Sequence, residues 1–177
     1  MAGAIVELYK MGYRNFIFFV NTDTIIRKTK ENFWNSASLK YLFSQQININ
    51  NQPVSVREVD NFESVNDNDI NIHFSTIQGL HSRLNTPREN SVTFEDFANK
   101  KIVLISDEAH HVNSLTKQKL TGEELEVERS WENTITRIFD SNSDNVMLEF
   151  TATLELSHPS VASKYNSKLL FDYYLKK

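Results

Sequence analysis

The 177 residues suffice for one domain with a sizeable core, and 40% apolar and 24% charged residues are typical of a soluble globular protein. The net charge of −4 argues against a protein that coats nucleic acid through bulk positive charge, but not against one that holds a strand through amides and hydroxyls. With no cysteine, disulfides, thiolate metal sites and a cysteine nucleophile are excluded. No apolar run nears the roughly 18 residues of a membrane span and the amino terminus does not resemble a signal peptide, so we expect a cytoplasmic protein with no membrane association.

The first half of the chain alternates between helical and extended patterns. Residues 2–11 have helical spacing of apolar side chains, and Gly12 is a plausible helix stop. The continuous apolar run over residues 16–20 is typical of a strand covered on both faces. The predicted elements that follow are a helix from Thr22 or Asp23 to about Phe33, a helix over 38–46, a strand over 54–59 and a surface connection over 60–69.

The second half continues the alternation. In chain order we predict a strand over 70–74 that ends at Ser75-Thr76, a helix over 77–83, a loop over 85–91, a brief helix over 93–99, a buried strand over 102–105, an exposed excursion over 113–129, a helix through Trp131 and Ile135, a strand over 146–150, a helix over 159–164 and a strand over 169–174. This order predicts a single α/β domain over residues 1–177 with a largely parallel sheet.

Two adjacent carboxylates, Asp107 and Glu108, follow the apolar run over residues 102–105. Chemistry in such sheets collects at the carboxyl ends of strands. One or two carboxylates there suit a hydrated Mg²⁺ ion and a base that orients an attacking water. The structural alternative is an acidic turn that caps the next helix.

The phrase Asp107-Glu108-Ala109-His110 resembles the DEAH form of the Walker B motif in superfamily-2 DEAD/DEAH-box helicases, and Phe150-Thr151-Ala152-Thr153 resembles the motif that follows it. The resemblance implies a RecA-like (P-loop NTPase) fold, with helices on both faces of the sheet, and ATP and Mg²⁺ as cofactors. It also implies that Asp107 holds Mg²⁺ through water and that Glu108 activates the hydrolytic water. His110, Thr151 and Thr153 would couple the nucleotide state to movement along the strand.

Two earlier segments fall in the order of the family's nucleic-acid motifs. Asn21 and Thr22 lie where its first strand-contacting motif lies, with Asn21 in a position that many relatives fill with proline. The segment Phe74-Ser75-Thr76-Ile77-Gln78 resembles a later nucleic-acid motif of the family. In that motif Thr76 would donate a hydrogen bond to a phosphate of the strand. For both segments the structural alternative is a helix cap.

A finer resemblance is to the Res (motor) subunit of type III restriction enzymes. It is carried by the phrase around Ser106 to Asn113, by residues 148–153, and by residues 161–165 and 171–173. It implies DNA as a partner, a modification (methyltransferase) subunit, and a second RecA-like domain. The alternatives are a DEAD/DEAH-box RNA or DNA helicase unrelated to restriction, and a non-catalytic remnant that binds only nucleic acid or a partner.

Two signatures expected of a complete enzyme are missing. None of the four glycines is followed by lysine, so the phosphate-binding G-x-x-x-x-G-K-[ST] loop is not in the sequence. We therefore expect a partial first RecA-like domain, incomplete at the amino terminus and inactive alone. Its sheet should have unpaired edges close to the strand over 102–105.

None of the three prolines begins a nuclease Pro-Asp pair, and the histidine spacing fits no zinc pattern.

Overall fold

A computed structural model of the chain describes residues 1–44, 46–86, 93–107, 122–151, 159–165 and 167–171. These residues form six helices and six strands. In chain order they are α1 (Ala2–Lys10), β1 (Asn15–Val20), α2 (Asp23–Trp34), β2 (Gln46–Ile49), β3 (Gln52–Glu58), β4 (Ile70–Thr76), α3 (Ile77–Asn85), α4 (Glu95–Ala98), β5 (Ile102–Asp107), α5 (Gly122–Asp140), β6 (Val146–Phe150) and α6 (Pro159–Tyr165).

The strands form one six-stranded sheet in the order β2-β3-β4-β1-β5-β6. Every pairing is parallel except that between β2 and β3. Helices lie between β1 and β2, between β4 and β5 and between β5 and β6, whereas β2, β3 and β4 follow one another with no helix between them. The helical connections cross a face of the sheet and cover it. The predicted α/β domain with a largely parallel sheet is confirmed, and the architecture is consistent with a RecA-like domain.

Strand β1 occupies the middle of the sheet, and all six of its residues are buried. Successive side chains of a strand point to opposite faces, so β1 contributes to two separate cores. On one face it packs with Ile5 and Tyr9 of α1 and with Ile26 and Phe33 of α2. On the other face the core residues are Ile77, Leu80 and Leu84 of α3, Phe97 of α4, and Ile135 and Ile138 of α5. Helices therefore cover both faces, as the resemblance implies.

Gly12 ends α1 as the sequence predicts. Its φ is +100°, a value that side chains with a Cβ rarely adopt. The N–H of Gly12 donates to the carbonyl of Tyr9 at 3.0 Å, and the N–H of Tyr13 donates to the carbonyl of Leu8 at 3.0 Å. These two bonds satisfy carbonyls at the end of α1 and turn the chain into β1.

An aromatic cluster fixes the carboxyl-terminal end of α2 on the sheet. Phe33 lies 5.0 Å from Phe43 and 6.0 Å from Phe74, measured between ring centroids. The indole N–H of Trp34 donates to the carbonyl of Val56 at 3.2 Å. Phe33 and Phe43 are both buried, so the segment after α2 is held by packing rather than by a helix of its own.

The predicted helix over residues 38–46 is therefore wrong. Residues 41–44 have no regular secondary structure, and Gln46 begins strand β2. The two-residue turn Asn50-Asn51, with φ of 52° and 63°, joins β2 to β3. Asparagine tolerates positive φ, which the favoured hairpin turns require.

Two other predicted segments also differ from the structure. Part of the predicted excursion over residues 113–129 is helical, because α5 begins at Gly122; residues 113–121 lie outside the described part of the chain. Glutamates stabilise the amino-terminal end of a helix, which explains their position early in α5. In the sequence the same charged residues are typical of an exposed loop, so the start of the helix was not predicted. The predicted strand over 169–174 is absent from its described residues, 169–171.

The prediction of unpaired edges close to the strand over 102–105 does not apply to that strand itself. Strand β5 pairs with β1 on one side and with β6 on the other. Within the described residues, the outermost strand on this side of the sheet is β6, which pairs with β5. The apolar run of β5 is thus an interior strand with both edges satisfied.

Candidate functional site

Four parallel strands end at the same edge of the sheet. In register, Val20 of β1 lies opposite Thr76 of β4, and Phe19 lies opposite Ser106 of β5. Asp107 lies opposite Phe150 of β6. The predicted site residues Thr76, Asn21, Thr22, Asp107 and Thr151 consequently follow one another along this edge in the sheet order β4, β1, β5, β6. We call it the carboxyl edge; it is where ligands bind in open α/β sheets.

Asp107 is the last residue of β5 and the first of that strand to be partly exposed. The five residues before it, from Ile102 to Ser106, are buried. Their apolar side chains fix the strand between β1 and β6, so the position of Asp107 is set by the sheet backbone rather than by a loop. Glu108 and His110, the other predicted residues of this motif, lie outside the described residues.

Thr151 directly follows β6 and is half-buried. Because Phe150 is the register partner of Asp107, Thr151 lies at the neighbouring strand end. Thr153 lies outside the described residues. The structure thus places Asp107 and Thr151 at the ends of adjacent strands.

Asn21 and Thr22 form the connection between β1 and α2. Thr22 is the amino-terminal cap residue of α2, and its backbone carbonyl accepts from the N–H groups of Ile25 and Ile26 at 3.2 and 3.4 Å. Its exposed side chain makes no capping hydrogen bond. Asn21 is half-buried, and its Oδ1 accepts a hydrogen bond from Nε2 of Gln78 at 2.9 Å.

Thr76 ends β4 and caps α3. Its Oγ1 accepts from the backbone N–H of Gly79 at 3.0 Å, so the capping role is realised. A hydroxyl that accepts one bond keeps its own proton for another acceptor. A Cβ at position 79 would lie 2.8 Å from Oγ of Ser75 and 3.0 Å from Oγ1 of Thr76, so glycine allows this close approach.

Gln78 is the residue of this edge that sequence reasoning missed. It belongs to the motif phrase from Phe74 to Gln78, but nothing local assigns it a role. The bond to Asn21 joins residues 57 positions apart. Only the pairing of β1 with β4 brings them together, so periodicity and motif spacing carry no signal for it.

The described histidines have structural partners. His73 is 5% exposed, and its Nδ1 lies 3.0 Å from the carbonyl of Val59. Burial lowers the pKa of His73, more than the contact with Val59 raises it. His81 lies on α3 with Nδ1 2.8 Å from Oγ1 of Thr134. Among the described residues, no group of three or more His, Asp or Glu is placed to hold a metal ion.

A Mg²⁺ ion that binds together with a nucleotide does not require three protein side chains as ligands. Magnesium keeps several waters and is bound through one or two carboxylates plus phosphate oxygens. The half-buried Asp107, fixed at the end of an interior strand, provides one such carboxylate. The residues of the carboxyl edge therefore fit a water-mediated Mg²⁺ site.

None of the helices that the structure describes is long and apolar enough to cross a membrane.

Two comparisons with known proteins relate the chain to one family. The profile of a family described as "Type III restriction enzyme, res subunit" matches residues 1–156. The "Probable type III restriction-modification enzyme HindVIP Res subunit" of Haemophilus influenzae is 35% identical over 193 residues. That alignment covers 99% of this chain but 37% of the relative. No solved structure gives a significant match.

Proposed function

Because this chain belongs to the family of type III restriction enzyme Res subunits, we propose that it is part of a motor that couples ATP hydrolysis to movement along DNA. The observation that carries the proposal is the order of side chains along the carboxyl edge. The predicted nucleotide residues Asp107 and Thr151 follow β5 and β6, whereas the predicted nucleic-acid residues Asn21 and Thr76 follow β1 and β4. We call the ends of β5 and β6 the nucleotide half of the edge and the ends of β1 and β4 its nucleic-acid half. The two halves are adjacent in one sheet.

In the nucleotide half we assign the roles that the motifs imply. Asp107 holds Mg²⁺ through water, and Glu108 takes a proton from the attacking water and orients it. When bound with ATP, Mg²⁺ neutralises negative charge that develops on the transferred phosphoryl group. His110, Thr151 and Thr153 transmit the state of the nucleotide to the rest of the domain. The rigid position of Asp107 supports this assignment, because phosphoryl transfer depends chiefly on positioning and charge stabilisation.

In the nucleic-acid half we assign backbone contacts to Asn21, Thr22 and Thr76. All three are neutral hydrogen-bonding residues at the start of a helix. The backbone N–H groups at a helix start can also bind an anion such as phosphate. Contacts to phosphate and sugar position a protein on DNA without reading sequence, as a translocating motor requires. A net charge of −4 is compatible with this mode, since it does not depend on a basic surface.

The proposed reaction belongs to a longer protein than these 177 residues. The chain spans 37% of the length of the curated relative it matches, and its sequence lacks a Gly-Lys phosphate-binding loop. We propose that the phosphate loop, a second RecA-like domain and a modification (methyltransferase) subunit complete the enzyme. Such an assembly acts on DNA in the cytoplasm.

The assignment is tested in a protein that joins this chain to a phosphate-binding loop and a second motor domain. Asp107→Asn and Glu108→Gln preserve shape but remove charge, so each should abolish DNA-stimulated ATPase activity while leaving Kd for duplex DNA nearly unchanged. Glu149→Gln, an exposed change on β6, is the matched control and should retain activity. Near-normal turnover in either edge variant would show that the roles of Asp107 and Glu108 are misassigned. ATPase activity that is unaffected by DNA would argue instead for a different motor, and the absence of ATPase activity would argue for a non-catalytic remnant.

A further inference from the structure

A hydrogen bond between two side-chain amides joins the two nucleic-acid loops of the carboxyl edge. Nε2 of Gln78, in the first turn of α3, donates to Oδ1 of Asn21, directly after β1, over 2.9 Å. Both residues are half-buried. The bond therefore connects the end of β1 to the start of the helix that follows the neighbouring strand, β4.

This bond decides which part of Asn21 is left for a ligand. An asparagine amide has a carbonyl oxygen that accepts and an NH₂ group that donates. The carbonyl oxygen accepts from Gln78, and the Asn21 side chain makes no other hydrogen bond within the described part of the chain. Among the described residues, the NH₂ group is the part of this side chain that has no hydrogen-bond partner.

The same first turn of α3 orients a second donor. The backbone N–H of Gly79 occupies the hydroxyl oxygen of Thr76 at 3.0 Å, which leaves the hydroxyl proton of Thr76 to donate. Thr76 and Val20 are register partners on neighbouring strands, which lie about 4.8 Å apart in a sheet. The donors of Thr76 and of Asn21, the residue after Val20, therefore stand at the ends of adjacent strands. Adjacent positions 78 and 79 thus orient two neighbouring hydrogen-bond donors.

We propose that Gln78 is a positioning residue that turns the NH₂ group of Asn21 toward the phosphodiester backbone of a bound nucleic-acid strand. The inference rests on the proposed function, because it concerns the nucleic-acid half of the same edge. Phosphate oxygens only accept hydrogen bonds, and asparagine is among the side chains that bind them. The contact with Gln78 thus leaves an oriented donor at the end of β1.

The test measures binding of the 177-residue chain to a duplex DNA oligonucleotide by fluorescence anisotropy, at low salt and at physiological salt. Gln78→Met keeps the length of the side chain but removes its amide, and should raise Kd about three- to tenfold. Asn21→Ala should raise Kd at least as much. In the Asn21→Ala background, Gln78→Met should cause no further loss, because its effect acts through Asn21. Gln46→Met, on the exposed outermost strand β2, makes the same chemical change elsewhere and should leave Kd unchanged.

The possible results separate this inference from the function on which it rests. If Asn21→Ala and Thr76→Val weaken binding but Gln78→Met does not, the edge binds DNA and the positioning role of Gln78 is rejected. Independent, additive losses from Gln78→Met and Asn21→Ala would also reject it. If the unsubstituted chain binds no DNA, or if none of the three substitutions changes Kd, the proposed nucleic-acid edge itself fails. If Gln78→Met lowers the melting temperature but leaves Kd unchanged for the folded fraction, the Gln78–Asn21 bond contributes to stability only and the positioning role is rejected.

Discussion

The backbone N–H of Gly79 is hydrogen-bonded to Oγ1 of Thr76 at 3.0 Å, and a Cβ at position 79 would meet that same oxygen at 3.0 Å. The oxygen of Ser75 would be closer still, at 2.8 Å. The cap of α3 and the glycine at its third residue are thus mutually dependent. Thr76 keeps its geometry because position 79 has no side chain.

We therefore expect Gly79→Ala to lower the free energy of unfolding by about 1 kcal/mol, the usual cost of losing a helix cap. Gly3→Ala in α1 is the matched control, because its Cβ meets nothing within 4 Å. Removing backbone freedom there should stabilise the protein by about 0.5 kcal/mol. Urea unfolding of both variants measures the difference. Equal stabilisation by the two substitutions would contradict the proposed dependence.

The isolated 177-residue chain should hydrolyse no ATP above background. The sequence has Asp107 and Glu108 but no Gly-Lys pair, so the amides and lysine that hold the phosphates in this class of enzyme are missing. Phosphate release with and without duplex DNA is the measurement, and Glu108→Gln is the control for contaminating ATPases. Turnover that disappears in Glu108→Gln would show that the chain is catalytically sufficient.

Self-association of the isolated chain should involve β6. Among the described residues β6 ends one side of the sheet, and its residues Val146, Met147, Leu148 and Phe150 are only partly buried. An exposed apolar edge strand invites pairing with another chain, and a lysine on it opposes this. Leu148→Lys should therefore reduce the associated fraction in sedimentation experiments, whereas Asn48→Lys on β2, at the opposite end of the sheet, should not. A chain that stays monomeric at high concentration would rule out this interface.

Acidification should destabilise the fold through His73. Burial lowers its pKa below the ordinary 6.5, so between the two values the unfolded chain binds more protons than the folded chain. The neutral ring's contribution to stability is thus complete above about pH 6.5 and is lost as the pH falls toward the lowered pKa. Arg83 opposes protonation of the ring, whereas Asp60 and Glu58 favour it.

His73→Phe keeps an aromatic ring beside Phe62 but cannot be protonated. The difference in unfolding free energy between the native protein and this variant, measured from pH 7.5 to 5.5, should shift in favour of the variant at low pH. The variant loses the contact with the carbonyl of Val59, so it should be less stable at pH 7.5. A difference that stays constant over this range would contradict a titrating His73.

How far the sequence predicts the structure depends on how local each feature is. Strands β1 and β5 are foreseeable because their apolar runs are continuous, and Gly12 because its stop signal is local. The hairpin of β2 and β3 was missed, since the positive φ of Asn50 and Asn51 is visible only as a pair of asparagines between alternating apolar residues.

The candidate site shows the same division. The strand-end positions of Thr76, Asn21, Asp107 and Thr151 follow from motifs and apolar runs. Their order along the edge, and the bond from Gln78 to Asn21, depend on which strands pair. The pairing of β5 on both sides has the same origin, because strand order is a property of the whole sheet rather than of a segment.

Placing all four site loops on consecutive strands makes the sheet a molecular ruler. Backbone hydrogen bonds set the spacing of neighbouring strands at about 4.8 Å, whatever the side chains are. The stretch from Thr76 to Thr151 spans three such intervals, so its scale is set by backbone geometry. A relative that is 35% identical can differ at most positions and still hold its loops at the same separations. Divergence is then free to alter the faces of the sheet while the working distances stay constant.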